Sequence, residues 1–110
     1  MAMLTPQEEN AIRSFQDALK GICGAWGWEV RLFGSRARGH GGEDSDLDLL
    51  VLLDHYEEAT KLRIWDAAYH VFSTTDILLS PLVIARERFE QLKRRERLVA
   101  QDIEREGIRL

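Results

Sequence analysis

From Asp46 to Leu53 the chain reads Asp-Leu-Asp-Leu-Leu-Val-Leu-Leu, and beyond Asp48 no polar residue interrupts it. The run alternates at first and is then continuously apolar, as a strand does when both its faces are covered. Such a strand belongs in the middle of a sheet. Each face of that sheet then needs a cover of its own, and helices are the elements that the rest of the sequence offers. At 110 residues there is material for one core, so a single domain spanning 1–110 is expected.

The flanking segments fit this plan. Thr5-Pro6-Gln7-Glu8 has the form of a helix start, with Thr5 as N-cap, Pro6 at the first helical position and Glu8 closing a capping box. Ile12, Phe15, Leu19, Ile22 and Trp26 then recur at steps of three and four, which predicts a helix ending near Gly24 or Gly27. Trp28 to Phe33 alternates, with Trp28, Val30 and Leu32 on one side and Glu29 and Arg31 on the other, and predicts a short strand. The glycine-rich stretch between Gly34 and Ser45 predicts a turn, a short helical piece and a loop.

Leu62, Trp65, Tyr69 and Phe72 predict a second amphipathic helix buried on that stripe. Asp76 to Ile84 predicts a third strand, placed at an edge or ending early because of Pro81. From Arg86, the residues Phe89, Leu92, Val99 and Ile103 predict one last helix closed by Gly107, with the basic run Lys93 to Arg97 on a solvated face. The fold class is therefore α/β in the α+β sense: a small mixed sheet covered by helices.

Composition removes several classes of function. Apolar residues at 45% and charged residues at 31% describe a chain that folds. The longest apolar run is far too short to span a bilayer, and Met1 to Leu4 lacks the basic and apolar regions of a leader, so a cytoplasmic chain is expected. The net charge of −4 argues against general nucleic-acid binding. Cys23 has no second cysteine to pair with, and His40, His55 and His70 show no zinc-ligand spacing. From Ala85 onward eight Lys and Arg face six Asp and Glu, a balance of +2, so the acidic excess of −6 lies in residues 1–84 with Asp46 and Asp48.

Asp46 and Asp48, two apart on a strand, project from one face while Leu47 and Leu49 point to the other. Two carboxylates this close repel, and a hard divalent cation relieves them. Magnesium keeps one or two carboxylates, waters and substrate phosphates as ligands, so the pair points to a phosphorylated substrate such as a nucleoside triphosphate. Asp44, Asp46 and Asp48 also imitate a calcium loop, but Leu49 stands in place of its glycine and His55 in place of its bidentate Glu. Upstream, Gly34-Ser35 follows a strand, where backbone N–H groups can hold phosphate. Gly34 admits close approach, Ser35 adds a hydroxyl, and Arg36 or Arg38 can neutralise charge. No Walker Gly-Lys-Ser/Thr sequence is present.

Together, Gly34-Ser35-Arg36-Ala37-Arg38-Gly39, a spacer from His40 to Asp44, and Ser45-Asp46-Leu47-Asp48-Leu49 resemble the signature of the DNA polymerase β nucleotidyltransferase superfamily. Within it the chain is similar to the minimal nucleotidyltransferases paired with HEPN-domain toxins. The resemblance implies the polymerase β-like nucleotidyltransferase fold, with Gly34 and Ser35 on the triphosphate and Asp46 and Asp48 on metal. It also implies a role for Asp76, as a third carboxylate that binds metal or acts as base. Two magnesium ions, ATP as substrate and a HEPN toxin as partner follow from the same resemblance, with AMP passing to a tyrosine hydroxyl. Transfer to a small molecule such as an aminoglycoside, and neutralisation of a toxin by contact alone, are the competing expectations. Phe89, Leu92, Val99 and Ile103 are the expected elements shared between core and partner, Lys93 to Arg97 the expected contact with an acidic partner, and a homo-oligomer stays open.

Overall fold

The computed structural model describes residues 4–34, 46–95 and 98–110. Helix α1 (Pro6–Cys23) begins as its sequence requires: the Glu8 N–H donates to Thr5 Oγ1 at 3.1 Å and the Thr5 N–H to Glu8 Oε1 at 2.9 Å. It ends at Gly24, whose φ of 61° lets its N–H return to the Lys20 carbonyl. Trp26 falls beyond that cap, exposed and set against the His55 ring at 4.3 Å, so it is no part of the α1 stripe.

Strands β1 (Trp28–Phe33) and β2 (Leu47–Leu53) pair antiparallel, with Phe33 opposite Asp48 and Val30 opposite Val51. Helix α2 (Glu58–Thr75) carries the chain over to β3 (Leu79–Ala85), which pairs parallel to β2. Helices α3 (Arg86–Arg94) and α4 (Leu98–Glu106) follow, and a two-residue strand β4 (Ile108–Arg109) closes against β1. The order β3-β2-β1-β4 puts β2 in the interior, as its apolar run demands. This mixed sheet covered by helices is the α+β arrangement expected from the sequence.

Alternation along β2 divides the core. Leu47, Leu49, Val51 and Leu53 face α1 and α2, meeting Phe15, Leu19, Ile64 and Val71. Leu50 and Leu52 face the other way, onto Phe89, Ala100 and Ile103 of α3 and α4. Helices therefore cover the sheet on both sides.

Four local expectations need correction. The buried stripe of α2 is Thr60, Ile64, Ala68 and Val71, whereas Leu62, Trp65, Tyr69 and Phe72 face outward, Tyr69 at 71% exposure. Both stripes satisfy the helical period. The smaller side chains lie inward because they let α2 settle close to the sheet and α1, which four bulky ones would prevent.

The third strand starts later than its sequence suggested, at Leu79. Helix α2 runs on to Thr75, whose hydroxyl donates to the Val71 carbonyl at 2.6 Å and accepts the Ile77 N–H at 3.1 Å. Asp76 caps that helix with φ 62° and does not stand in a strand.

The final helix is two helices. One straight helix from Arg86 to Glu106 would run for about 31 Å, past the roughly 23 Å of a seven-residue strand. Breaking near Arg95 keeps Phe89 and Ile103 both over Leu50 and Leu52. Last, β4 had no counterpart in the sequence pattern, because two residues are too few to show alternation. Gly107 does cap α4, donating its N–H to the Ile103 carbonyl at 2.8 Å.

Pro81 is on the edge strand, as expected. The Leu47 N–H donates to the Leu78 carbonyl, so the backbone groups of Leu78, Ser80 and Leu82 turn toward β2 and those of Leu79, Pro81 and Val83 turn to the free edge.

The face covered by α3 and α4 is tied by an ion cluster. Glu29 accepts from Arg31, from Arg86 at 3.0 Å and from Arg109 at 3.1 Å, while Arg31 also reaches Glu104 at 2.8 Å. One carboxylate thus links β1, α3 and β4. Burial alone would raise its pKa, but hydrogen bonds from Arg31 and Arg86 and the charges of Arg31 and Arg109 overcome this and lower it from 4.5 to about 2. A carboxyl depressed by folding stabilises the fold above its unfolded value of 4.5 and loses that contribution as the pH falls toward 2. Glu29→Gln is expected to lower stability at pH 7 by about 3 kcal/mol. In urea melts the gap between variant and wild type should narrow steadily from pH 5 to pH 2.5. A gap independent of pH would show that the charge of Glu29 is not what matters.

Candidate active site

The turn after β1 and the start of β2 meet at one end of the sheet. Gly34 leaves β1 with φ 79°, a conformation that needs glycine, and a Cβ placed on it would overlap the Asp48 carboxylate, whose Cγ would lie 3.3 Å away. Any side chain at this position would therefore compete with Asp48 for space. The sequence reading singled out Gly34 and Asp48 separately, and the fold sets them in contact range.

Asp46 is exposed just ahead of β2, and Asp48 is half-buried within it. They share a face because Leu47, fully buried between them, occupies the opposite one. Burial raises the Asp48 carboxyl above its usual value, and the negative charge of Asp46 pushes it further in the same direction. That second cause is a measure of their proximity. The pair stores electrostatic repulsion that a cation would release.

Asp76 stands apart from this arrangement. It lies at the same end of the sheet, since Leu78 pairs with the start of β2, but on the turn after α2. The residue in register with Asp48 on β3 is Ser80, half-buried and on the same face. Ser80 was read only as interrupting a strand, because its register with Asp48 joins two strands and has no local sequence signal. Ser35, Arg36 and Arg38 lie outside the described residues, as does the side chain of Val99.

Among the described residues, no group of three His, Cys, Asp or Glu side chains is placed to hold a metal ion. A two-carboxylate donor set suits magnesium, which completes its shell with water and phosphate oxygens. The donors are hard and anionic, and the absence of a side chain at Gly34 is what lets the Asp48 carboxylate lie against its backbone.

On the same face of the sheet as Asp48, the residues expected to be shared between core and partner belong to the core where they are described. Phe89 and Ile103 are buried, Leu92 is partly so, and Lys93 pairs with Glu90 at 3.1 Å and Glu104 at 3.4 Å. No helix among the described residues is long and apolar enough to cross a membrane.

Comparison with known structures finds two mutant forms of the toxin-antitoxin MntA-HpeT. The first aligns over 98% of this chain and 72% of its own, with a TM-score of 0.59 and 21% identity. The second aligns over 92% and 70%, with a TM-score of 0.55 and 17% identity. At these identities the likeness is one of fold. A comparison with curated proteins returns no match. The model of the nucleotidyltransferase domain family, however, matches residues 12–108, which takes in both β strands of the site and nearly all of the core, and the chain accordingly belongs to that family.

Proposed function

We propose that this chain transfers AMP from ATP to a hydroxyl group, a tyrosine of a HEPN-type toxin, and thereby acts as its antitoxin in the cytoplasm. The observation that carries the chemistry is the pair Asp46 and Asp48 against the bare backbone of Gly34, in a chain of the nucleotidyltransferase family. Support for the partner comes from the two similar structures, both of a toxin-antitoxin pair.

In this scheme Asp46 and Asp48 would hold magnesium, and Asp76, on the turn after α2, would act as base for the attacking hydroxyl or, alternatively, as a third metal ligand. A pair of bound magnesium ions supplies charge neutralisation at the phosphates and a more acidic nucleophile. The chain does the rest by position. Gly34 and Ser35 would hold the triphosphate, and Arg36 and Arg38 would balance its charge. The acceptor oxygen bonds to the α-phosphorus, the bond to the β-phosphate oxygen breaks, pyrophosphate leaves, and the hydroxyl proton passes to Asp76 where it acts as base. A toxin that presents its own hydroxyl provides the proximity that an acceptor pocket would otherwise provide.

The test is co-expression with a HEPN toxin and incubation with ATP labelled at the α-phosphate. Label is expected on a toxin tyrosine, dependent on magnesium and on Asp46, and reduced in Asp76→Asn. Tight binding without label would favour neutralisation by contact, and label on an aminoglycoside would favour the small-molecule transferases.

A further inference from the structure

Asp48 stands between two strands, and its neighbours in register are unlike each other. Phe33 is its partner on β1 and Ser80 its partner on β3. Both share its face of the sheet. Phe33 packs with Leu50 and Leu52, which alternate with Asp48 along β2, and Ser80 lies four residues before Ile84, which packs with the same group. The Asp48 carboxylate therefore has an aromatic ring on one flank and a hydroxyl on the other.

That hydroxyl is within reach. Residues in register on neighbouring strands lie about 4.8 Å apart, and a serine and an aspartate on one face at that separation can meet by rotation of their side chains alone. Both are half-buried, so water competes less for the contact than it would at an exposed pair.

The carboxylate also lacks a donor. Among the described residues no hydrogen bond reaches it. Of the groups set against it, Phe33 is apolar, Gly34 has no side chain, and Asp46 is an acceptor like Asp48 itself. Asp76, on its turn, is an acceptor too. Ser80 remains as the side chain in register that can donate. A carboxylate that gives one oxygen to a cation is held in orientation by a hydrogen bond to the other, and such partners govern how tightly the cation is bound.

The geometry points to Ser80 as a positioning residue of the candidate metal site: its hydroxyl donates to one oxygen of Asp48 and leaves the other turned toward Asp46, so that a divalent cation meets a pair already oriented. This rests on the reading of Asp46 and Asp48 as the metal pair and adds to it a residue from the edge strand. Ser80 brings no charge, so its effect falls on affinity for the cation, through the aim of Asp48.

Manganese(II) is the probe, because its free form is counted by electron paramagnetic resonance without any turnover. Wild type, Ser80→Ala, Ser80→Thr and Asp48→Asn are titrated with manganese(II) alone. Ser80→Ala is expected to raise the dissociation constant about tenfold, with the melting temperature of the metal-free chain unchanged. Ser80→Thr keeps the hydroxyl on a side chain suited to a strand and should bind like wild type. Asp48→Asn should bind more weakly than either. If Asp48→Asn weakens binding and Ser80→Ala does not, the role of Ser80 is overturned while the metal pair stands. If Asp48→Asn binds like wild type, the metal pair fails and the role of Ser80 with it. Ser80→Thr binding as poorly as Ser80→Ala would show that the shape of the side chain matters and its hydroxyl does not, which also overturns the inference.

Discussion

Asp48→Asn is expected to lower nucleotide transfer roughly a thousandfold, about 4 kcal/mol of transition-state stabilisation, while leaving the fold intact. The two halves of this expectation have separate causes. A carboxylate that shares a divalent ion gives the site a negative charge that the amide cannot replace. In the protein without ligand, however, that same charge is unfavourable, because burial and Asp46 both raise the Asp48 pKa. Removing it should not cost stability. Wild type should be stabilised by magnesium with ATP, by about 2.7 kcal/mol at a hundredfold excess over the dissociation constant, and the variant should lose the magnesium-dependent part. Single-turnover transfer and thermal melts on the same preparations measure both. Transfer at the wild-type rate would remove Asp48 from the chemistry, and a collapsed spectrum would make it a structural residue.

Phe15→Ala should have the largest effect on stability, about 3–5 kcal/mol. Phe15 is fully buried on α1, in one core cluster with Leu19, Leu47, Leu49 and Ile64, so its removal leaves a cavity lined by core side chains. For a chain of this size such a loss corresponds to a fall in melting temperature of roughly 15 °C or more. Leu62→Ala removes a residue of similar character from a helix in the same layer, yet at 58% exposure it should change dilute-solution stability by less than about 0.5 kcal/mol. Urea melts of the two variants side by side would show whether the outer stripe of α2 faces solvent. Equal losses would contradict the orientation of α2.

These two residues also show where the sequence was legible. Phe15 belongs to the only apolar stripe of α1, so periodicity alone identified its face. Helix α2 has two stripes of the same period, and periodicity cannot choose between them. The choice is made by volume against the sheet and α1, a property of the assembled layers. Similarly, the capping box at Thr5 and Glu8 and the run from Leu49 to Leu53 are local facts, and both fixed their elements correctly. The break near Arg95 and the two residues of β4 depend on the length of the sheet and on a partner strand distant in sequence. At the candidate site, Asp46 and Asp48 were legible because strand alternation alone puts them together. The approach of Gly34 to Asp48 and the register of Ser80 with Asp48 were not, since each joins separate strands.

The proline in β3 carries one more consequence. An edge strand containing Leu79, Leu82, Val83 and Ile84 is the kind of segment that recruits further strands and grows into insoluble ladders. Of the groups turned outward along it, Leu79 and Val83 offer donors, but Pro81 between them has none. An incoming strand would therefore find a gap in the middle of the ladder and leave one of its own carbonyls without a bond. The edge therefore discourages backbone pairing with a strand of another copy. Backbone pairing between copies is thus steered away from open-ended polymerisation.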